Sequence, residues 1–151
     1  MYNEAVKVYL AGEIHTNWRD EIKDEVKKRK LPILIEEPQT NHEKSDHCGE
    51  VILGAEESSF WHDHKAAKIN LIRTRKAIEK SDLLIVRFGE KYRQWNAAFD
   101  VGVAATLGKS IISYHASSLD HALKEIDSVA HVVTRSVKEI VDVLEYVIIK
   151  S

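Results

Sequence analysis

The chain has 151 residues, of which 44% are hydrophobic and 30% charged, and its formal net charge is −2 at pH 7. That length suits one globular domain, 1–151, with a full core, and the charge balance gives no basic field for nucleic acid or an anionic membrane. Cys48 is the one cysteine, which excludes an internal disulfide and fits a reducing compartment; no run approaches a membrane span and the N-terminal stretch has no apolar leader core, so a cytoplasmic protein is expected.

The apolar run 6–11 ends at Gly12 and reads as a first strand. Residues 16–30 carry Trp18, Ile22 and Val26 at helical spacing, with Thr16 or Asn17 to cap the helix. Residues 32–35 read as strand two. The polar stretch 39–60 is expected to be a long loop with a short helix near 50–53, and loops of that length usually serve a function. A helix follows at 62–80, strand three at 83–87, and a helix of small and apolar residues at 95–108, which Gly108 would end in a left-handed cap. Strand four (110–114), a short helix (119–126), a marginal strand at 131–133 and an apolar-faced helix at 136–149 complete the chain. This alternation predicts a three-layer α/β/α fold with a five-stranded parallel sheet in the flavodoxin- or Rossmann-like order 2-1-3-4-5.

Asp100 is the charge out of place. Its helical neighbours are Asn96, Ala97, Val103 and Ala104, none of them a cation. It follows the carboxyl end of a buried strand, where open α/β sheets bind ligands; its plain structural use would be to favour a helix N-terminus. Strand one delivers Gly12, Glu13, Ile14 and His15 to the same edge, and strand three delivers Arg87, Phe88, Gly89, Glu90, Lys91 and Tyr92, then Trp95 and Asn96. Glu13 and Glu90 read equally well as solvated loop charges, and Trp95 as a rim aromatic or a stacking platform. Arg73 and Arg75 cannot share a helix face, so one of them could meet a phosphate. Asp82, at the opposite edge, reads as a turn residue. Neither GxGxxG nor GxxxxGK[ST] occurs, which argues against a usual dinucleotide site and an NTPase. His62 and His64 diverge on a helix, and with His42, His47 and Cys48 they match no zinc spacing, so no metal is expected.

Several segments resemble one family. They are Val8-Tyr9-Leu10-Ala11-Gly12, Ser81-Asp82-Leu83-Leu84-Ile85-Val86, and Ala98-Phe99-Asp100-Val101-Gly102-Val103-Ala104 before Gly108-Lys109-Ser110-Ile111-Ile112. Their order and spacing resemble the nucleoside 2-deoxyribosyltransferase superfamily. The stretches Gly12 to Arg19 and Phe88 to Asn96 look most like its YtoQ-type branch. The resemblance implies a carboxylate that attacks C1′ of a deoxyribosyl group, a nucleoside or nucleotide as small-molecule partner, no cofactor, and a homodimer or larger homo-oligomer.

Asp100 stands where the family has its nucleophilic glutamate, one C–C bond (roughly 1.5 Å) shorter. Thr74 and Gln94 stand where members commonly carry aspartates, and Glu13 is expected to supply the missing acid or base. The expected catalytic pair is therefore Asp100 and Glu13. The expected substrate contacts are Tyr9, Gly12, His15, Thr74, Arg75, Phe88, Gly89, Gln94, Trp95 and Asn96. Three activities remain open: glycosyl transfer or N-glycoside hydrolysis through Asp100, nucleoside binding without turnover, and hydrolysis of another ribosyl compound by water activated between Glu13 and Asp100.

Overall fold

The structure, a computed structural model, describes residues 4–149 apart from the side chains of His42 and Ile149. Residues 1–3, part of the stretch read above for a leader, lie outside the described residues. The elements in chain order are β1 (Val6–Gly12), α1 (Trp18–Lys28), β2 (Ile33–Glu36), α2 (His42–Leu53), α3 (Ser59–Lys80), β3 (Leu83–Phe88), α4 (Trp95–Thr106), β4 (Ser110–His115), a 3-10 turn (Ser117–Leu119), α5 (Lys124–Val129), β5 (Val132–Thr134) and α6 (Val137–Ile149). The five strands form one parallel sheet in the order β2-β1-β3-β4-β5. No helix among the described residues is long and apolar enough to cross a membrane.

Strand alternation sorts the core into two layers. On β1, Val8 and Leu10 face a cluster built with Trp18, Ile22 and Val26 of α1 and Ile140, Val141 and Leu144 of α6. Tyr9 and Ala11 face the other side, against Ile78 of α3 and Ala97, Val101 and Ala104 of α4. Strands covered on both faces must be apolar at successive positions, which is why β1, β3 and β4 read as continuous hydrophobic runs. Gly108 closes α4 with φ +69.

The largest departure from the sequence reading is α2. Residues 39–60 are not a long loop with a short helix: a helix covers His42–Leu53, and α3 starts at Ser59. Cys48 consequently lies on a helix, its thiol turned to the Ser45 carbonyl at 3.3 Å. Nothing periodic announces α2, because Val51, Ile52 and Leu53 are adjacent and stay exposed. Two local devices hold it. The Asn41 side chain accepts from Lys44 N at 3.0 Å as an N-cap. Gly49 lets α2 lie flat on α3, since a Cβ there would come within 2.5 Å of Lys65 Cβ. Smaller corrections concern the region after β4, where the expected 119–126 helix is a 3-10 turn followed by α5, and α1, where Asn17 occupies the cap position without a side-chain bond.

Candidate active site

The carboxyl edge of the sheet is built where β1 and β3 separate from their connections. Glu13 N donates to Arg87 O at 3.0 Å, one residue past the end of β1. The Glu13 side chain, 5% exposed, then turns back into its own loop. It accepts from the His15 backbone N–H, from Thr16 N at 2.7 Å and from the Thr16 hydroxyl at 2.6 Å, and it lies 3.4 Å from Arg87 Nε. Burial alone would raise its pKa. The bonds from Thr16 and His15 and the Arg87 charge outweigh that and hold Glu13 below its ordinary value of 4.5. Thr16, expected as a helix cap, caps this carboxylate instead.

Arg19 fixes the same loop from outside. Its guanidinium donates to Leu10 O at 3.2 Å, Glu13 O at 2.6 Å and Gly12 O at 3.0 Å, and Trp18 Nε1 donates to Glu13 O at 2.7 Å. The β3 loop packs against it. Gly89 N donates to Gln94 Oε1 at 3.1 Å, and a Cβ on Gly89 would meet Glu13 Cγ at 2.9 Å. His15 and Tyr92 bring their rings to 4.5 Å across the two loops.

A variant tests how much Glu13 contributes. Glu13→Gln keeps the shape but weakens several charge-assisted bonds, and it is expected to cost about 1–3 kcal/mol at neutral pH. Because folding depresses the Glu13 pKa, that contribution is present above its ordinary value of 4.5 and fades in acid. Urea unfolding of both proteins at pH 7 and pH 4 should show the gap narrowing at the lower pH; an unchanged gap would contradict an ionised Glu13.

Asp100 sits in the second turn of α4, half-buried. Among the described residues no lysine or arginine pairs with it and no hydrogen bond reaches it. Burial pushes its carboxyl up to about 7. Close by is the Tyr9 hydroxyl, wholly buried on β1 and pushed up to about 12, first by burial and then by the Asp100 charge, so it stays a neutral donor. Thr74 of α3 is placed to hydrogen-bond with that hydroxyl, yet no bond of good geometry is completed. A carboxylate shielded from water beside a buried hydroxyl combines burial with a raised pKa, a pairing that is common at functional sites.

The structure thus groups Tyr9, Thr74 and Asp100 on one side of the sheet edge. Gly12, Glu13, His15, Phe88, Gly89 and Gln94 form the adjoining floor and loops. The other expected contacts stand apart. Arg75 is exposed and pairs with Glu79 at 3.2 Å, whereas Arg73 is the arginine whose charge acts on Tyr9. Trp95 is 71% exposed with the Arg93 guanidinium 5.7 Å from its ring centre, and Asn96 is exposed beside it. Asp82 accepts from Lys7 N at 2.9 Å at the far edge, a turn role.

Sequence reasoning did not single out His115. It is buried at the end of β4, with Nε2 2.8 Å from Asp127 Oδ2, and Arg135 approaches its Nδ1 at 3.2 Å. A histidine closing the apolar run of β4 was the available signal. Two hollows, between α3 and α4 and along α2, do not have Asp100 in their walls.

An open parallel sheet in the order 2-1-3-4-5 is of the Rossmann-like kind, and in such sheets ligands bind at the carboxyl edge beside the switch point. The family model described as "Nucleoside 2-deoxyribosyltransferase YtoQ" matches residues 9–148. The chain is 45% identical over 139 residues to "Uncharacterized protein YtoQ" of Bacillus subtilis (strain 168), covering 92% of this chain and 94% of that one. The chain belongs to the YtoQ family of nucleoside 2-deoxyribosyltransferases. Solved structures share the fold at low identity. A 2-deoxyribosyltransferase from Bacillus psychrosaccharolyticus matches with TM-score 0.55 and 19% identity over 89% of this chain and 90% of that one. The CMP N-glycosidase BcmB of Clostridium botulinum matches with TM-score 0.51 and 17% identity over 93% and 98%. A conserved Enterococcus faecalis V583 protein matches with TM-score 0.64 and 15% identity over 93% and 97%.

Proposed function

We propose that the protein cleaves or transfers the N-glycosidic bond of a nucleoside or nucleotide, with Asp100 as nucleophile. The observation that carries this reading is the unpaired, half-buried Asp100 carboxylate beside the Tyr9 hydroxyl. Ionised, it attacks C1′ of the sugar; the C1′–N bond breaks, and the base leaves with the bonding electrons and takes a proton from water. A second base or water then opens the glycosyl ester from the face the first base left, so configuration is retained overall. Tyr9 supplies a neutral hydroxyl close to the carboxylate, with Thr74 beside it. Glu13, ionised and fully bonded within its loop, positions the floor of the site and is not the acid that protonates the leaving base.

The same reading takes a homo-oligomer as the working unit. Phe99 of α4, Leu107 just past its end and Leu71 of α3 are exposed around a hollow of about 230 Å³, one residue along the chain from Asp100 at Phe99.

Base release from deoxynucleosides, ribonucleosides and their 5′-monophosphates, with and without a second free base, tests the proposal. Because attack needs ionised Asp100, the rate should climb with pH, roughly tenfold per unit, and level off near the value of about 7 to which burial moves this group. Exchange with the added base would mark a transferase, release alone a hydrolase. Saturable ligand binding without release from any substrate would instead favour a binding protein.

A further inference from the structure

We propose that His47, Glu50 and His62 form a binding site for a divalent transition-metal ion, zinc in the first instance, at the α2–α3 turn. One ligand atom from each lies within 4.8 Å of the others. His47 and Glu50 are three apart on α2 and so share a face; His62 comes from the first turn of α3. The sequence reading rejected a chelate because His62 and His64 diverge on one helix, and that remains true. The other two ligands, His47 and Glu50, come from α2, across the turn.

The chemistry of the set is right for the ion. Two imidazoles and one carboxylate are a known three-ligand donor set for zinc, which leaves the fourth position to water. Tetrahedral zinc with bonds of about 2.0–2.1 Å sets ligand atoms roughly 3.4 Å apart. The contraction required is small for side chains at a partly exposed helix surface. His62 Nδ1 already lies 2.8 Å from Glu50 Oε1, and the His47 and His62 rings are 5.0 Å apart. A hydrogen bond now joins the pair that the ion would bridge.

Among the described residues no lysine or arginine pairs with Glu50, and the nearby Lys65 is taken by Glu56 at 2.6 Å. The other convergence of ligand-type side chains, His115 with Asp120 and Asp127, differs on this point. There the Arg135 guanidinium sits 2.7 Å from Asp120 and 3.2 Å from His115 Nδ1, so the cation position is filled by protein. The site also lies on a hairpin whose residues 51–61 are all exposed, where an ion would clasp two helices that have little other cover.

Calorimetric titration of the tag-free full chain with zinc chloride tests the assignment independently of catalysis. The expected result is saturable uptake of one equivalent. His47→Ala, His62→Ala and the near-isosteric Glu50→Gln should each weaken it by more than about tenfold, since even outer-shell partners of bound metals are worth 10–100-fold. His64→Ala should leave it unchanged, because His64 stacks on Phe60 with ring centres 5.6 Å apart and is not part of the set. Circular dichroism identifies any variant that fails to fold, and Glu50→Gln against His64→Ala then carries the comparison. Absence of one-equivalent uptake, or equal loss in His64→Ala and Glu50→Gln, overturns the proposal.

Discussion

Asp100→Asn is expected to reduce base release by at least about 10³-fold while making the protein harder to unfold at alkaline pH. The two effects share a cause. Asparagine keeps the size of the side chain but cannot attack C1′, and it also removes a charge that the fold does not compensate. Burial raises the Asp100 pKa from an ordinary 3.8 to about 7. The folded state therefore prefers the protonated acid: its stability is intact below the ordinary value and declines as pH rises toward the folded one. At roughly 1.4 kcal/mol per unit, the wild type loses up to about 4 kcal/mol relative to the variant over that interval, from 3.8 to about 7. Urea unfolding at pH 5 and pH 8 should show the advantage of the variant widening at the higher pH. A constant difference, or a variant keeping more than a tenth of wild-type turnover, would remove Asp100 from the centre of the reaction.

Gly12→Ala is expected to destabilise the protein by at least about 3 kcal/mol, from two separate penalties. The residue has φ +112, a region that side-chain-bearing residues rarely adopt. An alanine Cβ would also stand 2.1 Å from Arg87 O and 2.8 Å from Arg87 N, and backbone atoms in a sheet cannot step aside as a side chain can. Relief requires β1 and β3 to part at the edge that carries Glu13 and Gly89. Gly102→Ala makes the control. It lies inside α4, a Cβ there meets nothing within 4 Å, and the gain should be about 0.5–1 kcal/mol. Denaturant midpoints of the two variants should move in opposite directions; equal shifts would mean the β1–β3 contact is looser than its geometry implies.

The layering of the sheet was legible because β1 and β3 are apolar at consecutive positions, a pattern that only a doubly covered parallel strand requires. Asp100 was legible for the converse reason, a charge amid Ala97, Val101 and Ala104 with no partner at helical spacing. What escaped depends on contacts between distant segments. Tyr9 and Thr74 were named through the family resemblance, but no local pattern reports that the Tyr9 hydroxyl of β1 lies between Thr74 of α3 and Asp100 of α4. Choosing between Arg73 and Arg75 needed the rotation of α3 about its axis, which its weak amphipathicity leaves undefined. The helix α2 escaped because tertiary packing at Gly49, not an apolar stripe, holds it. Of the two roles left open for Glu13, solvated loop charge or general acid or base, the first overlooked that short polar loops consume their own carboxylates.

The guanidinium of Arg19 bears on how the site treats its visitors. By engaging the carbonyls of Leu10, Gly12 and Glu13 at once, it gives the first loop its shape before anything arrives. A molecule docking there has little chain to order, so its binding carries a small conformational entropy penalty. The same rigidity makes that wall a template and not a glove: under the function proposed above, a sugar that does not fit gains nothing from the loop, which does not yield. Any adaptability at this edge must then come from exposed side chains beside the loop, such as Tyr92, whose ring meets that of His15.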